Sequence, residues 1–428
     1  MPSAALEQWL KYAPAPNPLE PNKKFHVFLS YRSVNRGWVL QLYDILRGLN
    51  YQVFLDQYNL AAAAPLALSL GEALDTSQAA IMMWSSTFED SEWCKKEYNT
   101  LESKENSGTG FRYVIAKLDE SALPGFASGK IHVDFSQDRD GPSGSGLLRL
   151  LHGIHGEPLP PAAVRLAADV DAEIKSARAQ IKAARTNGFA NRLETLSQST
   201  GLAWQTSPAL GCEVAEAIIG LGNNAAALKL LRELQQQCPR AVRPKQLEGL
   251  ALARNKDWEG AQTLLGELYA NGELDPETLG IYARTWMDRY KVSKDPVHLR
   301  KSRDLYNQAF TVAPKDYYTG INAASKSLFL GERDRATELA KKVEGLVGVK
   351  PIDQDYWKTA TVAETQLLQA AYDNAAKLYV QAISIEPEAH GNHQSTKAQA
   401  ILILEALKAP PEAQSKVLSA FDHQGCHT

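Results

Sequence analysis

Apolar residues in the first third of the chain fall in short blocks, with little alternation of apolar and polar positions. Phe25-His26-Val27-Phe28-Leu29-Ser30 reads as a strand. Residues 35–50 follow with Trp38, Leu42, Ile45, Leu46 and Leu49 at helical spacing, the pattern of an amphipathic helix. The alternation then repeats. Strands are expected at 52–55, 79–84, 112–118 and, more weakly, 131–135, and helices at 66–74, through Trp93, and near 147–154. Strands alternating with helices imply right-handed βαβ units and a parallel sheet. Strands that are apolar almost throughout agree with a sheet covered on both faces. Five strands predict a flavodoxin-like order, 2-1-3-4-5.

That order places a site. Open parallel sheets bind ligands beyond the carboxyl ends of their strands, where the strand order reverses. Here the reversal lies between the first and third strands. The loop after the first supplies Ser30, Tyr31 and Arg32, and the segment after the third supplies Ser85 and Ser86. The following helix carries Ser91-Glu92-Trp93-Cys94-Lys95-Lys96-Glu97. Positions i and i+4 of a helix share a face, so Trp93 and Glu97 project together, an aromatic plate beside a carboxylate. No GxGxxG follows the first strand and no GxxxxGK[ST] occurs, which excludes Rossmann and P-loop nucleotide binding. The glycines of Gly141-Pro142-Ser143-Gly144-Ser145-Gly146 read as a flexible loop.

From about residue 160 the strand pattern stops. Residues 164–186, rich in Ala, Arg, Lys and Glu, predict one long helix. Beyond it a loose repeat places a small residue at Ala227, Ala261, Ser302, Ala336 and Ala375, in steps of 34, 41, 34 and 39. Each is followed three residues later by Leu230, Leu264, Leu305, Leu339 or Leu378. Pro239, Pro314 and Pro387 break the helices that follow. A period near 34 with a small residue at a tight helix crossing is the tetratricopeptide pattern. The expected organisation is therefore an extension at 1–22, an α/β domain at 23–156, a helical linker at 157–206 and an all-α repeat domain at 207–428.

Length and composition narrow the function classes. A chain of 428 residues calls for more than one core. A 44% hydrophobic and 22% charged composition is ordinary for a soluble globular protein. The net charge of −3 supplies no bulk attraction to nucleic acid or an anionic membrane. No apolar run approaches the ~18 residues needed to span a bilayer, and residues 1–21 lack a secretory signal pattern. Cys94, Cys212, Cys238 and Cys426 form no CxxC pair, which fits a reducing cytosol better than a disulfide framework. Cys94 reads as a small buried residue. His390 and His393, in a loop beside Gly391, and the terminal His423, Cys426 and His427 do not form a second cluster at zinc-ligand spacing, so no metal is expected.

Three of these stretches together resemble Toll/interleukin-1 receptor (TIR) domains over residues 23–156. Phe25 to Arg32 is similar to their opening strand, Val53-Phe54-Leu55-Asp56 to the second strand leading into the BB loop, and Ser91 to Glu97 to the motif bearing the catalytic glutamate of the enzymatic branch. That branch cleaves NAD at the nicotinamide–ribose bond, and other members are adaptors that assemble through the BB loop. The resemblance implies that Glu97 is catalytic, with Trp93, Arg32, Ser30, Tyr31 and Ser85 as substrate contacts. Ordinary glycosidases need two carboxylates because the leaving oxygen must be protonated. Nicotinamide leaves NAD as a neutral base, so one anion beside the oxocarbenium-like ribose suffices. Glu97 would act by electrostatics or by transient attack. Trp93 would stack on a planar base, and Arg32 would pair with the pyrophosphate or with Glu97. NAD enters as substrate, and no cofactor is implied. The BB-loop segment departs from the family. Its run Gln57-Tyr58-Asn59-Leu60-Ala61-Ala62-Ala63-Ala64-Pro65 favours helix and has no polar reach, which argues against assembly through that loop.

Tyr317-Tyr318-Thr319-Gly320-Ile321-Asn322-Ala323-Ala324 resembles the tetratricopeptide-like regulatory region of apoptosis signal-regulating kinases, and Asn322 is expected to cap or cross-link helices. Two functional classes follow. The first is a cytosolic, immune-type NAD hydrolase effector, self-associating through its TIR domains and gated by a protein or ligand trigger on the array. The second is a non-enzymatic scaffold pairing through TIR–TIR contacts and the repeat groove. Glu97 discriminates them, because a scaffold has no use for it.

Overall fold

The computed structural model describes residues 4–55, 66–88, 92–123, 127, 130–138, 140–348, 355–387 and 390–422. It divides into two compact units, Met1–Glu273 and Leu274–Thr428. The alanine run at 61–64, Cys426 and the terminal histidines lie outside the described residues, as does the side chain of Cys94.

In the first unit, β1 (Phe25–Ser30), β2 (Val53–Phe54), β3 (Ser77–Trp84), β4 (Arg112–Lys117) and β5 (His132–Asp134) form one sheet in the order β2-β1-β3-β4-β5. Every pairing is parallel, with Ser30 opposite Met82 and Trp84 opposite Lys117. Strand order and class are those expected. β3 is buried along almost its whole length, as a strand covered on both faces must be. One face packs Phe28, Phe54, Met82, Trp84 and Ile115 against Leu74, Tyr98 and Leu101 of two flanking helices. Helix Arg36–Gly48 covers the other face with Val39, Leu42 and Leu46.

The glycine-rich stretch at 141–146 is not a flexible loop. All six residues are buried, and Gly144 opens helix Gly144–His155. The Gly144 N–H donates to Ser207 Oγ at 3.0 Å, and its carbonyl accepts from Trp9 Nε1 at 3.2 Å. A Cβ at Gly144 would collide with Thr206, and one at Gly146 with Phe135. These glycines permit close approach of neighbouring segments rather than chain freedom.

Helix Pro161–Thr186 runs as expected, followed by Ala190–Ser197 and the short Leu202–Thr206. Helix pairs Pro208–Gly220 with Asn224–Gln237, and Val242–Arg254 with Trp258–Ala270, complete this unit.

Among the described residues the second unit is all helical. Its described elements run from Pro276–Ser293 to a short turn at Ser419–Phe421. Sequence neighbours pack against one another up to helix Tyr372–Ile385, whereas helix His390–Leu407 packs on helices Tyr356–Leu368 and Tyr317–Phe329. Asp275, Asp295, Asp316 and Asp355 cap four of its helices by accepting from first-turn amides. Ala227, Ala261, Ser302, Ala336 and Ala375 are buried throughout, as small residues at close crossings must be. The Ala375→Leu chain is accordingly expected to lose about 1–3 kcal/mol by overpacking, read from urea melts of the full chain. Asn322 neither caps nor cross-links helices. Its Nδ2 donates to Tyr318 O at 2.9 Å and its Oδ1 accepts from Lys326 at 2.7 Å, both within helix Tyr317–Phe329. His390 to His393 open helix His390–Leu407 rather than lying in a loop, and His393 is buried. No helix among the described residues is long and apolar enough to cross a membrane.

Candidate active site

The site forms where β1 and β3 end side by side. Ser30 is the last residue of β1, only 2% exposed. Helix Glu92–Asn106 follows β3 and lays Glu97 across this end of the sheet. Tyr98 and Leu101 bury the helix against the sheet, and Glu102 accepts from the Tyr113 hydroxyl of β4. That hydroxyl is the main reason the Glu102 carboxyl is held below its ordinary range. With its helix anchored on both sides, Glu97 comes within reach of β1. Ser30 Oγ donates to Glu97 Oε2 at 2.6 Å, a charge-assisted hydrogen bond.

Both residues line a cavity of about 120 Å³ with Phe28, Leu70, Gly71, Leu74, Lys96, Thr100 and Leu101. Its size approaches that of the ~150 Å³ apolar cavities that take up benzene. Apolar walls around one half-buried carboxylate lower the local dielectric, so a positive charge developing nearby is stabilised more than in water. A larger recess of about 590 Å³ lies elsewhere, lined by Lys23, Asp75, Asn99, Thr100, Ser103, Lys104, Ser107 and Thr109. Lys23 and Asp75 stand at the amino ends of β1 and β3, the wrong end of a parallel sheet for a ligand site. The small cavity at the carboxyl ends is the better candidate.

The other expected residues separate. Ser85 is buried outside the cavity lining, accepts from Asn35 Nδ2 at 2.9 Å and lies 2.9 Å from Thr87 Oγ1. It ties the end of β3 to the loop after β1. Ser86 donates its N–H to Asp119 Oδ2 at 2.6 Å. Burial pushes the Asp119 carboxyl up, but hydrogen bonds from Ser121 and Ser86 outweigh it and leave the carboxyl below its ordinary value. Tyr31 is half-buried in the same loop. The buried Nε of Arg32 has no hydrogen-bond partner among the described residues. Trp93 lies on helix Glu92–Asn106 one turn before Glu97, and its side chain is outside the described residues. Sequence reasoning missed Asn35. The signal was present, since it is an amide side chain in the loop at the strand-order reversal. Among the described residues no group of three His, Cys, Asp or Glu is placed to hold a metal ion.

Residues 27–151 match the family model of the TIR domain, and residues 223–329 match that of Tetratricopeptide Repeats-Sensor. No curated protein matches the chain. Among solved structures, a thermophilic TPR protein of Thermus thermophilus is similar at 18% identity. The match covers 46% of this chain and 99% of that one, with a TM-score of 0.38. The APC/C hetero-tetramer Cut9-Hcn1 is similar at 12% identity, covering 56% of this chain and 48% of that one, with a TM-score of 0.36. Two family models thus match separate parts of the chain, one in the α/β region and one in the helical region.

Proposed function

We propose that this chain is a signalling effector that cleaves NAD at the nicotinamide–ribose bond, with Glu97 as its catalytic carboxylate. The joining of a TIR domain to sensor repeats supports an effector role. The observation that carries the enzymatic reading is the Ser30–Glu97 pair in a small, apolar-walled cavity at the strand-order reversal. The C1′–N bond breaks with both electrons going to nicotinamide, which departs neutral. The ribose is left oxocarbenium-like, and the Glu97 anion stabilises that charge. Water then adds to C1′ and releases a proton. Ser30 holds the carboxylate in one orientation toward the sugar. The Arg32 Nε, without a hydrogen-bond partner among the described residues, supports a role for that guanidinium beside the pyrophosphate.

In this reading the protein acts in the cytosol as an immune-type effector and associates with itself through its TIR domains. The sensor repeats receive a protein or ligand trigger and set the activity. The test is nicotinamide release by the concentrated full chain beside a Glu97→Ala control. Release that the control lacks supports the enzyme. Silence of both supports the non-enzymatic scaffold.

A further inference from the structure

Arg36 begins helix Arg36–Gly48, directly after the Ser33–Asn35 turn. That turn is tied to the chain after β1 and to the end of β3, the two segments that flank the site. Asn35 donates its backbone N–H to Arg32 O at 2.8 Å and its side-chain amide to Ser85 Oγ at 2.9 Å. A few residues earlier Ser30 holds Glu97. Arg36 itself points the other way. Its Nη1 donates to Gly272 O at 2.8 Å, and its Nε lies 3.3 Å from Glu273 Oε1. The pair is secluded, with side chains 17% and 6% exposed.

The receiving end is built for this contact. Helix Trp258–Ala270 closes in a Schellman motif, the Gly272 N–H bonding Tyr269 O and the Glu273 N–H bonding Leu268 O, each at 3.0 Å. Gly272 sits at φ +83°, and a Cβ there would lie 2.8 Å from Arg36 Nη1. The cap thus aims a carbonyl and a carboxylate at one guanidinium. Neighbouring contacts keep the helix from sliding. Gly37 packs so closely on Val242 that an added Cβ would stand 3.3 Å away, and Arg240 pairs with Asp44 at 2.5 Å. Glu273 is also the last residue of the first unit, and the second begins at Leu274.

We infer that Arg36 and Glu273 are positioning residues that couple the start of the second unit to the Glu97 site. The path runs from Glu273 to Arg36, through Asn35 to Ser85, and along the loop back to Ser30. It rests on the proposed NAD cleavage for its kinetic consequence, and on geometry alone for its structural one. Displacing the chain at Glu273–Leu274 releases Arg36. The turn holding Ser85 then loosens, and Ser30 no longer fixes the carboxylate.

The test uses the full chain with Glu273→Gln, Arg36→Lys and the double variant, plus the exchanged pair Arg36→Glu with Glu273→Arg. Two readouts are taken: NAD cleavage, and hydrogen–deuterium exchange by mass spectrometry. Each single variant is expected to lower kcat about tenfold, the scale of a modest misplacement of a reacting group, with KM nearly unchanged. The double variant is expected to be no worse than either single, and the exchanged pair to recover part of the loss. Exchange is expected to quicken at 31–36 and 85–88 while 112–117 stays as in the parent. Unchanged exchange at 31–36 and 85–88 in both singles overturns the inference, as does quickening spread over the whole sheet. A parent chain that cleaves no NAD defeats only the activity reading, because the exchange pattern still decides the coupling. Arg36→Lys keeps the charge and removes only the planar fork, so it serves if Glu273→Gln does not fold.

Discussion

In the Glu97→Gln chain, nicotinamide release is expected to fall by about 10²–10³-fold or more, the usual cost of removing a preorganised charge from a transition state. The amide fills the same space and still accepts from Ser30 Oγ, so folding is preserved. What disappears is the negative charge, and only a step that develops positive charge beside it responds. Thermal melting is therefore expected to stay near that of the parent while turnover collapses. Equal falls in melting and turnover would instead assign Glu97 to packing. The Ser30→Ala chain separates position from charge. It keeps the carboxylate and loses the 2.6 Å hydrogen bond, so a smaller fall of about tenfold is expected. Chromatographic measurement of nicotinamide for parent and both variants decides the order.

The second large effect concerns stability and pH. Lys326, on helix Tyr317–Phe329, is 4% exposed, and burial pushes its ammonium down from 10.5 to about 8. Glu364, on helix Tyr356–Leu368, favours the charged form and opposes that shift. From helix Pro276–Ser293, Asp288 also opposes it, while Lys291 and Arg284 add to it. Below about pH 8 folded and unfolded chains both carry the proton, and the full cost of burying the charge is present. Between about 8 and 10.5 the unfolded chain binds more protons than the folded one, so the Lys326 contribution to stability rises with pH. At about 1.4 kcal/mol per pH unit, that window is worth on the order of 3 kcal/mol. Lys326→Met removes the titration. The stability of the parent relative to Lys326→Met is expected to improve by that amount from pH 7 to pH 10.5, measured by urea melts of both chains. A difference independent of pH would show that Lys326 does not lose its proton in the folded state.

The comparison with Lys326→Met reads the balance of this surrounding set of charges. Buried Tyr379, whose hydroxyl burial raises, titrates alike in both chains and cancels from the difference.

Glu97 was legible before any coordinates. Its spacing from Trp93 and its place after the third strand pointed to the reversal of strand order, where it stands. Ser30 was legible as a strand end, but its bond to Glu97 was not, because the partners are 67 residues apart and meet only once β1 and β3 pair. That Ser85 accepts from Asn35 was not legible, since a hydroxyl at a strand end bonds whichever polar group packing brings near. The glycines at 141–146 misled for a related reason. Gly and Ser read as freedom when nothing local restrains them, and here Trp9, Phe135, Thr206 and Ser207 arrive from distant segments to bury them.

The sequence alone determined the classes of structure and their order. Periodicity is a local property, so apolar blocks yielded a parallel sheet with its strand order, and small residues near every 34 positions yielded the helical repeats. It also determined which end of the sheet carries the candidate chemistry, because connectivity sets where a parallel sheet reverses. Tertiary structure decided which polar groups meet: Ser30 with Glu97, Asn35 with Ser85, Arg36 with Glu273. It also decided that Lys326 is buried, since that depends on neighbouring helices rather than its own. Hydrogen bonds and burial are pairwise and long-range in the chain, and no local pattern of residue types encodes the distance between their partners.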